Sequence, residues 1–409
     1  MRAFLFAALL TAIGCSTSGT DVATARQLPE AARADAAAVV LANNQFACDF
    51  YAGLAGSDGN LVFSPFSITT ALAMLDAGAA GDTEREIRAA LHASSLGDRL
   101  HAGYHALIDS LDVGRGFGNY RLSTADRLFG QTGFPFRPEY LATTRQQYDA
   151  ELQSLDFQAG PESARNTING WVAEHTAQAI PELFPAGMID RSTVLALVNA
   201  IAFKGSWAQK FDVGATRDAP FHLADGTTVT VPMMLKSDTV TAAALPGGDL
   251  FDLPFAGNDI SLIVLVPTQA AGLPAIEAEL SATAIPQWIA AAHHGTDPVA
   301  FSFPKFTTKR GPDLSALLHK LGIVSAFDPN TADLSGIDGR TDLYVAAAVH
   351  QAMLAVDELG AEAAAATGLL VDQRSAASVV IDRPFVFLLY DRITGAILFL
   401  GRIVDPTRG

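Results

Sequence analysis

Ser302-Phe303-Pro304-Lys305 has the Ser-x-x-Lys spacing with which a lysine can activate a serine nucleophile. That chemistry needs both side chains on one side of a helical turn. The alternation around Phe301 and Phe303 reads instead as a strand, which would send Ser302 and Lys305 to opposite faces. A hydrolase using Ser302 is therefore disfavoured, and no Gly-x-Ser-x-Gly elbow occurs. His293-His294 are adjacent, so they cannot easily share one metal ion, and they read as solvated loop histidines. Gly114-Arg115-Gly116-Phe117-Gly118 lacks the Lys-Ser/Thr of a phosphate loop and reads as a flexible loop. His350 falls in an apolar stretch, Asp342–Val356, taken as a strand, where a buried histidine needs a hydrogen-bond partner. No cofactor or metal is expected.

The most informative stretch is 356–375, Val-Asp-Glu-Leu-Gly-Ala-Glu-Ala-Ala-Ala-Ala-Thr-Gly-Leu-Leu-Val-Asp-Gln-Arg-Ser. Alanine favours helix, but Gly360 and Gly368 confine any helix to about seven residues, too few to stand alone. Read with a period of two, Ala361, Ala363, Ala365, Thr367, Leu369 and Val371 share one small or apolar face, opposite Glu362, Gly368 and Asp372. Helix and latent strand are both open at this level. The stretch ends at Arg374-Ser375, a bond that a trypsin-like protease would cut.

These residues sit in a chain of 409, of which 49% are hydrophobic and which carries a formal net charge of −16. That supports a substantial core, and the absence of any Lys/Arg cluster argues against nucleic-acid or polyanion partners. Helical periodicity marks 31–55, 82–93, 98–112, 138–148 and 161–178. Another helix starts at Ser64-Pro65 and runs to Gly78. Strand patterns mark 120–129, Val194–Phe203, 227–235, 249–255, 259–266, Val299–Phe306, Asp342–Val356, Arg383–Tyr390 and Ala396–Val404. Helices come mainly early and strands mainly late, which predicts an α+β fold.

The amino terminus has a charged start, an apolar run from Ala3 to Ile13 and then Gly14-Cys15. It reads as a signal peptide over 1–15. Ala12-Ile13-Gly14-Cys15 is similar to a bacterial lipoprotein cleavage box, which implies lipidation of Cys15 and an extracellular or envelope location. Residues 16–30 would be a flexible tether and 31–409 one domain. Cys48, the other of two cysteines, is expected to be a buried thiol without a disulfide.

From roughly residue 36 onward the chain resembles the serpin family of serine-protease inhibitors. The resemblance rests on Asn60-Leu-Val-Phe-Ser64-Pro65-Phe-Ser67, Ala125-Asp-Arg-Leu-Phe-Gly130, Leu197-Val-Asn199-Ala-Ile-Ala-Phe203-Lys204-Gly205-Ser-Trp207, Val231-Pro-Met-Met234 and Ala332-Asp-Leu-Ser-Gly-Ile337. Val349-His350-Gln-Ala, Asp382-Arg-Pro384-Phe385-Val-Phe-Leu388 and Gly395-Ala-Ile-Leu-Phe-Leu-Gly401-Arg402 complete it, in the family's order.

The resemblance implies three β-sheets with about nine helices and an exposed reactive-centre loop, here about 358–380. It makes Glu358, Gly360, Ala361, Glu362, Ala363, Ala364, Ala365, Ala366 and Thr367 the hinge, and Arg374-Ser375 the reactive bond. It makes Ser64, Ser67, Asn199 and His350 the shutter beneath the large sheet, and so supplies His350 with partners. The implied activity is suicide inhibition: a trypsin-like protease forms a covalent 1:1 complex with a monomeric inhibitor whose cut loop inserts into the sheet. The alternative is a non-inhibitory binding or chaperone-like serpin. Four residues depart from the family pattern: Leu359 replaces a charged or polar residue, Ala361 a Thr or Ser, and Gln178-Ala179 a Gly-Lys pair.

Overall fold

The computed structural model describes residues 28–116, 120–309, 314–346, 348–361 and 378–408. Its first helix, α1 (Glu30–Leu54), fully buries Val39, Phe46 and Phe50, which recur on one helical face. Strand β1 (Leu61–Phe63) leads into Ser64, whose Oγ accepts the Ser67 N–H at 3.1 Å and caps α2 (Pro65–Asp76). Pro65 opens that helix at no loss, because the first N–H of a helix has no partner within it. Helices α3 (Gly81–Ala90) and α4 (Arg99–Gly116) follow.

Gly114, Arg115 and Gly116 form the last turn of α4, so the loop expected there is corrected for these three; Phe117 and Gly118 lie outside the described residues. Once a helix is nucleated, each added residue gains a backbone bond, enough here to offset glycine's preference for turns.

Strand β2 (Tyr120–Gln131), helix α5 (Pro138–Tyr148), strand β3 (Leu152–Leu155) and helix α6 (Pro161–His175) come next. A run of strands then builds the sheets: β4 (Leu195–Ser206), β5 (Asp212–His222), β6 (Thr228–Asp238), β7 (Thr241–Leu245), β8 (Gly248–Pro254) and β9 (Ile260–Pro267). Short helices α7 (Leu273–Ala278) and α8 (Ala284–Ala291) precede β10 (His293–His294), β11 (Val299–Pro304) and β12 (Phe306–Thr308). Helices α9 (Leu314–Lys320) and α10 (Ser335–Asp338) lead to β13 (Ala352–Val356) and β14 (Gly360–Ala361). The last three strands are β15 (Ser378–Val380), β16 (Phe385–Asp391) and β17 (Ile397–Ile403).

The strands form three sheets. Seven run in the order β1-β17-β16-β9-β8-β7-β10, and four in the order β15-β11-β6-β5. The third sheet is β12-β13-β4-β2-β3, with β14 paired to β4. The α+β expectation holds, with α1 to α10 among the described residues in place of about nine helices. Strands β9, β16 and β17 are buried at every position, since helices and sheet cover both faces.

Two expectations need correction. His293 and His294 form a two-residue strand against β7, exposed as expected, and both ring nitrogens of His294 meet threonine hydroxyls (Thr239 at 2.8 Å, Thr241 at 3.0 Å). The strand expected over Asp342–Val356 starts only at Ala352, because the described residues before it have no ladder partner in β4.

Candidate functional site

Ser64, Ser67 and His350 come together beneath the third sheet. The Ser64 N–H donates to His350 Nε2 at 3.0 Å, and Ser64 Oγ donates to the Leu398 carbonyl at 2.6 Å. Ser67 Oγ lies 3.5 Å from His350 Nδ1. All three residues are buried. Burial disfavours the charged imidazole and pushes the His350 pKa down to about 3. The ring is therefore neutral, and because Nε2 accepts, its proton sits on Nδ1 facing Ser67. Asn199 is in β4, opposite Asp126 of β2; its side chain lies outside the described residues.

The segment expected to be the hinge opens with a chain reversal. After β13 the backbone turns over Glu358-Leu359: Asp357 N–H donates to Gly360 O at 2.8 Å, and Gly360 N–H to Asp357 O at 3.3 Å. Gly360 and Ala361 then run antiparallel to β4, opposite Ser206 and Gly205, and both are buried. Gly360 is required twice over. Its φ is +146°, and a Cβ there would stand 1.9 Å from the Gly205 carbonyl oxygen. For Gly360 and Ala361, the choice between helix and strand is thus settled as strand.

Glu358 anchors this turn. Its carboxylate accepts from Lys305 Nζ at 2.9 Å and Thr216 Oγ1 at 2.8 Å, and its carbonyl accepts the Phe211 N–H at 2.9 Å. Burial pushes its pKa up, but the bonds from Lys305 and Thr216 outweigh this and hold it below the usual glutamate value. The Trp207 indole donates to Asp357 O at 2.8 Å, and its backbone N–H to Leu359 O at 2.9 Å. Leu359 enters this scheme through its backbone, which explains why a non-polar side chain is accepted there.

Between β4 and β13 the sheet is nearly open. Among the described residues the two strands pair only at Ala352 with Ile201 and Met353 with Ala202. Above this point β14 occupies the gap. Below it, a cavity of about 230 Å³ is lined by residues 194–197 on one side and 342–346, 348 and 349 on the other, with Leu72, Phe184, Leu318 and Ile337 also in its lining.

The family model described as serpin (serine protease inhibitor) matches residues 41–406. The chain belongs to the serpin family. It is 40% identical over 378 residues to the leukocyte elastase inhibitor of Bos taurus, a match covering 89% of this chain and 98% of that one. It is 35% identical over 386 residues to Serpin B11 of Homo sapiens, with the same two coverages. Its fold is similar to that of uncleaved ovalbumin, with a TM-score of 0.78 and 26% identity, covering 90% of this chain and 100% of that one. These mammalian relatives lend no support to the bacterial origin implied by the amino-terminal box.

Cys15, Glu362, Ala363, Ala364, Ala365, Ala366, Thr367, Arg374 and Ser375 lie outside the described residues of this serpin. Sequence reasoning missed Lys305, Thr216 and Asp357 as contacts of the turn at 358–360. The sequence suggests Lys305 only as a possible partner of Ser302; it follows β11, and its ammonium meets Glu358. Asp357 did leave a signal, since Asp followed three residues later by Gly marks a turn. Thr216 and Lys305 left none, because their partner is over fifty residues away.

Proposed function

We propose that this serpin inhibits a trypsin-like serine protease by presenting Arg374-Ser375 as bait and inserting the cut loop between β4 and β13. The observation that carries this reading is the sheet itself: the hinge has entered as β14, and two residue pairs separate it from an open cavity below. The protease serine attacks the Arg374 carbonyl, expels the Ser375 amine and leaves an acyl-enzyme. Ala363, Ala365 and Thr367 then follow Ala361 inward, where their small side chains avoid clashes. Some fifteen inserted residues at ~3.3 Å each carry the bound protease roughly 50 Å.

Trypsin should give an SDS-stable complex and release a peptide beginning at Ser375. Cleavage at equimolar ratio without a complex would overturn inhibition and favour the binding-protein alternative. A second reading has a specific basis: several relatives, those of Bos taurus and Homo sapiens among them, are named leukocyte elastase inhibitor. An elastase-like target would prefer a small side chain at the bond. A complex formed with elastase and not trypsin, and a released peptide starting elsewhere, would select it.

We also infer secretion as a monomer with Cys15 lipid-anchored, supported by the residues of the amino-terminal box. Loss of palmitate labelling in Cys15→Ser tests the anchor, and sedimentation tests the monomer.

A further inference from the structure

We propose that Asp357 is the positioning residue that keeps the hinge turn folded before the loop is cut, so that insertion starts from a formed nucleus. This rests on the insertion reading above. The carboxylate Oδ1 accepts two backbone N–H groups at once, from Leu359 at 2.8 Å and Gly360 at 3.1 Å. An aspartate bonding two and three residues ahead closes an Asx turn, which bends the chain without help from a ladder. The backbone of Asp357 works in the same direction, through its pair with Gly360 and the bond from the Trp207 indole to its carbonyl. Glu358 fastens the turn to its surroundings, whereas Asp357 gives it its shape.

The consequence is kinetic. Starting a new strand requires the chain to reverse and several residues to lose backbone freedom before any ladder bond repays them. Here the reversal is complete, and the first two residues, Gly360 and Ala361, are already paired. Each residue after Ala361 adds its bonds to an existing edge. Trapping depends on insertion outrunning hydrolysis of the acyl-enzyme, so a preformed turn favours the trap over turnover.

Three forms of the full-length protein decide it: the parent, Asp357→Ala and Asp357→Asn. Asparagine keeps the Oδ1 acceptor and loses the charge. Two measurements are made on each: amide exchange at Leu359 and Gly360 in the uncut protein, and stoichiometry against the second-order association rate with trypsin and elastase. For Asp357→Ala, exchange should quicken and the protease cleave at least about fivefold more inhibitor per complex, the low end of the scale for two lost hydrogen bonds. The association rate should stay within about twofold, since the bait is untouched. Asp357→Asn should match the parent in both.

Unchanged exchange in Asp357→Ala overturns the proposal, as does faster exchange with unchanged stoichiometry. Asparagine behaving like alanine overturns the acceptor role. If the parent traps neither protease, the inhibitory reading fails and the kinetic claim with it, while the exchange data still decide whether Asp357 holds the turn.

Discussion

His350 makes burial measurable as a pH effect. Its pKa is about 3 in the folded protein, against an ordinary 6.5 in the unfolded chain. Between these values the unfolded state binds a proton that the native state refuses, so stability falls as pH drops below about 6.5. The slope from this one group approaches 1.4 kcal/mol per pH unit. His350→Gln retains a side-chain acceptor for the Ser64 N–H and should flatten this slope in denaturant titrations between pH 6.5 and 4. Asp76 and His101, with pKa values moved by burial to about 6 and about 4, are present in both proteins and drop out of the difference.

Gln178 is the other residue whose backbone says more than its side chain. It has φ +66° and follows Ala177 at +52°, immediately after α6. Glycine would hold this left-handed conformation without strain, so Gln178→Gly should stabilise the protein by about 1 kcal/mol. A shift of the denaturation midpoint to higher guanidinium at unchanged slope would bear this out.

At the scale of elements, the turn between β13 and β14 gathers its supports from distant strands. Lys305 follows β11 and Thr216 lies in β5, and both meet Glu358. The Glu358 carboxylate is largely buried while Lys305 is about half exposed, so solvent weakens the pair. Lys305→Ala should lower stability by about 1 kcal/mol, measured as a lower melting temperature. Gly360→Ala should act differently. Strain and the clash with Gly205 disfavour the paired hinge by more than about 2 kcal/mol. The expected outcome is a protein that trypsin cuts as a substrate, with the SDS-stable complex lost.

Elements differ in how much of themselves they print in the sequence. Ser64-Pro65 announces α2 because capping and the first turn are local. β9 and β16 show as apolar runs because both faces are covered. β5 showed nothing: it is mostly exposed, carries Gly214, Arg217 and Asp218, and is defined by pairing with β6. The end of the 342–351 segment was misjudged for the opposite reason. Its composition suits a strand, but pairing with β4 begins only at Ala352. The cluster of Ser64, Ser67 and His350 was legible because its residues fall in dense motifs, whereas Lys305 meets Glu358 only through the fold.

For the whole molecule, the proposed insertion requires a sheet that accepts another strand, and β4 and β13 are joined by two residue pairs among the described residues. Cleavage by a protease that is not trapped should still release the loop, so the melting temperature of the nicked parent should rise sharply. Nicked Gly360→Ala should gain much less, because the first step of insertion is blocked. Equal gains in both would separate loop insertion from the hinge geometry described above.

The sheet also has unequal margins around β4. On one side β2 accompanies it from Tyr120 to Gly130 without a break, while on the other Ala352 and Met353 are its only ladder partners in β13 among the described residues. Under mechanical load such a sheet has a fracture line. β2, β3 and β4 would travel as one plate and β12 with β13 as another, and stretching the molecule across that line should part it there first.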